Sequence, residues 1–93
     1  MWDIEINRSH KTPVEKVRAG VKKLLIKVGK KYNIKGSWSD PDNYAAEKGG
    51  HVEEGEVKLS AKKVLINIRF DFLGRLATNK IQKAIDDELD KIL

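Results

Sequence analysis

The chain has 93 residues, with 19 Lys or Arg against 14 Asp or Glu, a net charge of +5 and no cysteine. That length suits one α+β domain over residues 1–93, burying about 60–65% of the surface its unfolded chain would expose. Disulfides and thiolate metal sites are excluded by composition. No run approaches the roughly 18 apolar residues of a membrane span, and no basic-apolar-small leader opens the chain, so a cytoplasmic protein is expected.

The positive charge is unevenly spread. Residues 1–35 hold ten Lys or Arg against three acids, and residues 36–93 hold nine against eleven. A surface of the first kind attracts polyanions or anionic interfaces, although a lysine-rich solvated face has the same composition.

In chain order, Trp2, Ile4 and Ile6 alternate with Asp3, Glu5 and Asn7, which predicts a half-buried strand. A polar loop, Arg8 to Lys11, follows. Thr12-Pro13-Val14-Glu15 reads as a helix start, with Thr12 as cap, Pro13 at the first helical position and Glu15 closing a capping box. Val14, Val17, Val21, Leu24, Leu25, Val28 and Tyr32 then form one apolar stripe, and Asn33 suits a left-handed stop. The opposite face carries Lys16, Lys23, Lys27 and Lys30, flanked by Arg18, Lys22 and Lys31, with Ile26 among them. These eight residues are the candidate interaction surface.

Ile34, Gly36 and Trp38 predict a second strand, closed by the Asp40-Pro41-Asp42-Asn43 turn. Residues 44–48 predict a weak third strand, broken by Gly49-Gly50. Residues 51–56 open a fourth strand whose alternation Gly55 interrupts, a position suited to a bulge. Val57 and Leu59, then Val64, Ile66, Ile68 and Phe70, share one face of a hairpin. At Asp71 the period changes to threes and fours through Leu73, Leu76, Ala77, Ile81, Ala84, Ile85, Leu89 and Ile92, which predicts one terminal amphipathic helix folded back over the sheet.

The expected fold is therefore a two-layer, mostly antiparallel four- to five-stranded sheet with two helices on one face, in the order β-α-β-β-β-β-α. Its candidate core is Ile4, Ile6, Val17, Val21, Leu24, Leu25, Val28, Trp38, Val57, Leu59, Val64, Ile66, Ile68, Phe70, Leu76, Ile81, Ala84 and Ile85. The uncovered face carries Asp3, Glu5, Lys58, Asn67 and Arg69. Leu65 and Phe72 fall out of phase, which places them at a homodimer contact or over a sheet edge.

Candidate chemistry is sparse. His10 and His51 lie in no nucleophile or metal motif; Glu53 and Glu54 are the acids near His51. Asp40, Asp42 and Asn43 begin like a calcium loop but lack its glycine and its twelfth-position glutamate, so a turn is expected. Gly49-Gly50 is too short to cradle phosphate. Glu88 falls inside the apolar arc of the last helix, at its rim or against a basic partner. No catalytic constellation, cofactor or metal is implied, and too few polar groups point inward for an enzyme or small-molecule cavity between sheet and helices.

With these elements in place the chain resembles the polyhydroxyalkanoic acid system family of small bacterial proteins over essentially its full length. The resemblance rests on Ile4, Ile6 and His10, the helix from Thr12 to Tyr32, and the strand around Trp38. It continues through Gly55-Glu56-Val57 and the join Ile68-x-Phe70-x-Phe72-Leu73, with Lys80-Ile81, Ile85 and Leu89 behind. It implies a protein tied to storage-polyester loci, with a polyester granule surface or another granule protein as partner, and it brings no established activity and no catalytic residues. With no catalytic constellation in the chain, a non-enzymatic protein is expected. The competing expectation is nucleic-acid binding through the basic helix, after the manner of double-stranded RNA-binding domains. Those domains place lysines at the start of the last helix, where this chain has Asp71-Phe72-Leu73-Gly74-Arg75.

Overall fold

A computed structural model describes residues 2–93. The chain forms β1 (Ile4–Ser9), α1 (Val14–Tyr32), β2 (Gly36–Asp40), β3 (Asn43–Ala46), β4 (Val52–Leu59), β5 (Lys63–Phe70), a single turn α2 (Phe72–Arg75) and α3 (Thr78–Ile92). The strands make one five-stranded sheet in the order β1-β5-β4-β3-β2, every pair antiparallel. The α+β class and the strand sequence are as expected. The terminal helical segment differs, being α2 and α3 rather than one helix.

Register explains the core. Ile4 faces Ile68 and Ile6 faces Ile66 across β1–β5, while Val57 faces Ile66 and Leu59 faces Val64 across β4–β5. Because side chains alternate across a strand, these residues lie on one face. They join Val17, Val21, Leu24 and Val28 of α1 and Ile81, Ile85 and Leu89 of α3 in one buried cluster. Both long helices therefore roof the same face. The other face carries Glu5, Asn67 and Glu56 in one cross-strand row, with Leu65 beside Lys58 in the next. It is polar as expected, except that Asn67 is buried, its amide lying 3.5 Å from Glu56 Oε2.

Several boundaries shift. The first helix opens at Val14, with Pro13 at the cap position and no side-chain cap bond, so Thr12 and Glu15 form no capping box. Instead the Pro13 carbonyl accepts from the N–H groups of Lys16 and Val17. Asn33 ends the helix as expected, in the left-handed region at φ 57°. The irregularity of β4 lies between Val52 and Glu54, ahead of Gly55, which keeps regular register between Ala46 and Ile68.

The core is also redistributed. Ile34, Val52 and Leu89 are buried beyond the expected set, whereas Leu25, Trp38 and Ala84 are half-buried. Leu76 is 79% exposed, because the break between α2 and α3 turns it outward. Trp2 precedes the first strand and is half-buried.

Ile68 sits mid-strand with 6% of its surface exposed, between β1 and β4. Ile68→Asp would bury an unpaired charge, at a cost of several kcal/mol against a total stability of about 5–15 kcal/mol. The variant is expected to lose its cooperative thermal transition, as followed by circular dichroism; a melt within a few degrees of wild type would contradict this assignment.

Candidate interaction surfaces

The expected basic face of α1 divides into three when seated on the sheet. Its flank toward α3 carries Lys27 and Lys31: Lys27 Nζ lies 2.6 Å from Glu88 Oε1, and Lys31 Nζ lies 5.6 Å from the centre of the Tyr32 ring. The opposite flank carries Arg18, Lys22 and Ile26, which look onto β2 and the β2–β3 turn. Arg18 makes a two-pronged ion pair with Asp42, at 2.7 and 3.0 Å. Lys16, Lys23 and Lys30 remain exposed along the crest. Two of the seven cations, Arg18 and Lys27, are thus paired with carboxylates within the protein. Ile26 stands over a groove rather than among opposed lysines, 57% exposed.

The paired carboxylates register these bonds. Asp42 is held below its ordinary range chiefly by the hydrogen bond from Arg18, and Glu88 likewise by Lys27, with Lys91 adding to it. Glu88 therefore sits at the rim of the helix interface and has basic partners as well. Asp40 accepts from the Asp42 N–H and the Asn43 side-chain amide, which builds the β2–β3 turn.

A second surface lies at the join of strand and helix, where sequence periodicity pointed inward. Among the described residues the exposed large apolar side chains are Ile26, Phe72 at 74%, Leu73 at 60% and Leu76 at 79%. The last three form a knuckle on the single turn α2, and the turn is firmly tied. Asp71 accepts from the Gly74 N–H at 2.7 Å and lies 3.2 Å from His51 Nδ1, while the Asp71 N–H donates to the His51 carbonyl. Arg75 reaches Asp3 at 3.3 Å, and the other Asp3 oxygen accepts from the Phe70 N–H. Gly74 is wedged so closely that a Cβ there would stand 2.7 Å from His51 Cβ and 2.8 Å from Phe70 Cβ.

The two surfaces meet at one loop. Gly50 abuts Asn33 at the end of α1, and His51, the next residue, holds α2. Lys35 and Lys48 line the same loop. One end of the molecule thus presents the apolar knuckle on one side of residues 49–51, and the C-terminal lysines of α1 with Lys35 and Lys48 on the other.

The histidines are structural in their contacts. His10 is buried, and its Nε2–H donates to the Ser60 carbonyl at 3.1 Å, pinning the β4–β5 turn. His51 meets Asp71, not Glu53 or Glu54. Among the described residues no group of three or more His, Cys, Asp or Glu side chains is placed to hold a metal ion.

Asp71 is held below its ordinary range first by the Gly74 N–H and then by His51. A carboxylate depressed in the folded state stabilises the fold above its unfolded value, and that contribution is lost as pH falls through the folded value. Between about pH 5 and pH 3 the thermal midpoint of wild type should fall more steeply than that of Asp71→Asn, as read by calorimetry. Parallel slopes would show that the bonds of this carboxylate do not stabilise the fold.

No curated protein and no solved structure matched the chain. A protein-family model described as "putative polyhydroxyalkanoic acid system protein" matches residues 4–93. That match spans both long helices, the whole sheet and the knuckle, and the chain belongs to this family of the polyhydroxyalkanoic acid system.

Proposed function

We propose that the protein is a non-enzymatic accessory that docks on the surface of polyester storage granules, with the α2 knuckle as its anchor. The observation that carries this reading is the exposure of Phe72, Leu73 and Leu76 on a turn fixed by Asp71, His51, Gly74, Asp3 and Arg75. An ordered turn that keeps three large apolar side chains in water has a use for them at an apolar interface. Full burial of such side chains contributes about 1.5–3 kcal/mol each, enough in sum for reversible attachment. The exposed crest of α1, with Lys16, Lys23 and Lys30, adds attraction toward a surface bearing negative charge, screened by salt. No helix of the described residues is long and apolar enough to cross a membrane, so attachment of this kind would be peripheral.

The non-enzymatic part rests on the histidines. His10 is buried, with its Nε2–H on a turn carbonyl, and the carboxylate that meets His51 is already the cap of α2, so both histidines have structural contacts. Nucleic-acid binding through α1 is the weaker reading, because Arg18 and Lys27 are engaged by Asp42 and Glu88.

The test is co-sedimentation with washed polyester granules. Phe72→Ser with Leu76→Ser is expected to weaken attachment at least tenfold, on the order of 1.5 kcal/mol or more, with little change in melting because both side chains are exposed. Attachment should survive moderate salt. Changing Lys16, Lys23 and Lys30 to glutamine should cost less and should matter mainly at low salt. Granule binding that ignores the Phe72/Leu76 pair would remove the knuckle as anchor. Binding to nucleic acid that falls log-linearly with salt and ignores the same pair would favour the basic-helix alternative.

A further inference from the structure

A groove of about 520 Å³ runs between the second half of α1 and strands β2 and β3, on the side of α1 away from α3. This volume is within the range of small-molecule sites, about 300–1,000 Å³. Leu25, Ile26, Trp38 and Tyr44 give it an apolar lining. The Trp38 and Tyr44 rings are tilted 60° to each other with centroids 5.3 Å apart, and they form its aromatic wall. That wall depends on Gly36, since a Cβ there would stand 2.5 Å from the Tyr44 hydroxyl oxygen.

Charge gives the groove a direction. Lys30 and Lys35 stand at the end nearest the C-terminus of α1, Lys22 stands further along, and no acid lines it. Glu47 is on the wall of the neighbouring pocket, where Lys35 and Lys48 also stand. Glu15 and Asp40 appear only beyond Lys22 and Trp38, where the trough continues past the β2–β3 turn. An apolar trough lined by three cations and no acid, with Glu47 and the Glu15/Asp40 pair only in the pockets adjoining its two ends, is complementary to a chain with a single anionic head.

We propose that this groove binds a single-chain aliphatic carboxylate, with the head between Lys30 and Lys35 and the chain laid along Leu25, Ile26, Trp38 and Tyr44. Aliphatic carbons bury apolar surface on both walls, and the carboxylate meets two ammonium groups that compete with few acids nearby. The site is separate from the α2 knuckle, so its failure would leave the granule reading standing.

Dodecanoate, below its micelle concentration, is the probe. Trp38 fluorescence in a Trp2→Phe background reads occupancy of the groove, and calorimetry gives the stoichiometry. The expected result is saturable one-to-one binding that Lys30→Gln with Lys35→Gln weakens roughly fivefold to tenfold. Dodecanol should bind equally to wild type and to that double variant, because it lacks the charge. Ile26→Glu, at an exposed position, should weaken dodecanoate by repulsion while leaving the melting temperature unchanged. Absence of saturable binding would overturn the proposal, as would equal affinity in the lysine double variant. Binding abolished by Phe72→Ser with Leu76→Ser and unaffected by Ile26→Glu would place the chain at the knuckle, and would overturn it too.

Discussion

Strand β5 is paired on both sides, by β1 and by β4, and its residues Val64, Ile66, Ile68 and Phe70 are all buried. A one-residue slip of this strand would turn the whole apolar set to the solvent face. Its register is therefore held by packing along its full length, and the flanking strands inherit it. The polar row Glu5, Asn67 and Glu56 on the far face follows from the same register, as does the position of Asp71, one residue beyond the strand.

Width sets the next constraint. Two long helices must roof five strands. Helix α3 lies toward β1, where Arg8 reaches Asp90 at 2.6 Å and the Asp86 carbonyl at 3.4 Å. Helix α1 packs beside α3 and over β4. The shortfall in the roof consequently falls at the β2–β3 edge, and Trp38 and Tyr44 are half-buried there instead of sealed in the core. The groove is what a two-helix roof leaves uncovered on a five-stranded sheet.

Local periodicity carried most of this fold. The period-two runs of β1 and β5, the apolar stripe of α1 and the left-handed Asn33 are all properties of neighbouring residues, and they are visible without tertiary information. The misreadings arose where a longer-range contact overrides the local pattern. Leu73 and Leu76 continue the helical spacing of Ile81 and Ile85, so both fall on the apolar stripe and Leu76 reads as core. The bonds of Asp71 to Gly74 and His51 close a separate turn and aim these leucines outward. Gly74 was the available signal, since glycine inside a helix costs about 1 kcal/mol relative to alanine and often marks close approach or a helix end. Of the candidate surface, exposure of Lys16, Lys23 and Lys30 followed from helical phase. The engagement of Arg18 by Asp42, 24 positions away, and of Lys27 by Glu88, 61 positions away, has no local signature.

The same cross-chain pairs account for an apparent defect in α3. Asp86, Asp87, Glu88 and Asp90 crowd its C-terminal half, where the helix dipole disfavours negative charge. Cations from other elements answer them: Arg8 at Asp90, and Lys27 at Glu88 together with Lys91 from the helix itself. Exposed pairs of this sort are worth little singly, typically under about 1 kcal/mol. Their geometric consequence is larger, because they fix α3 against α1 and β1 near its C-terminal half while Gly20 admits the Ile92 side chain closely. At the other end of the helical segment, Asp71 holds α2 to His51 and Arg75 ties it to Asp3. The apolar knuckle is then presented by a braced support rather than a loose tail, so little ordering entropy stands between exposed side chains and an apolar surface that would receive them.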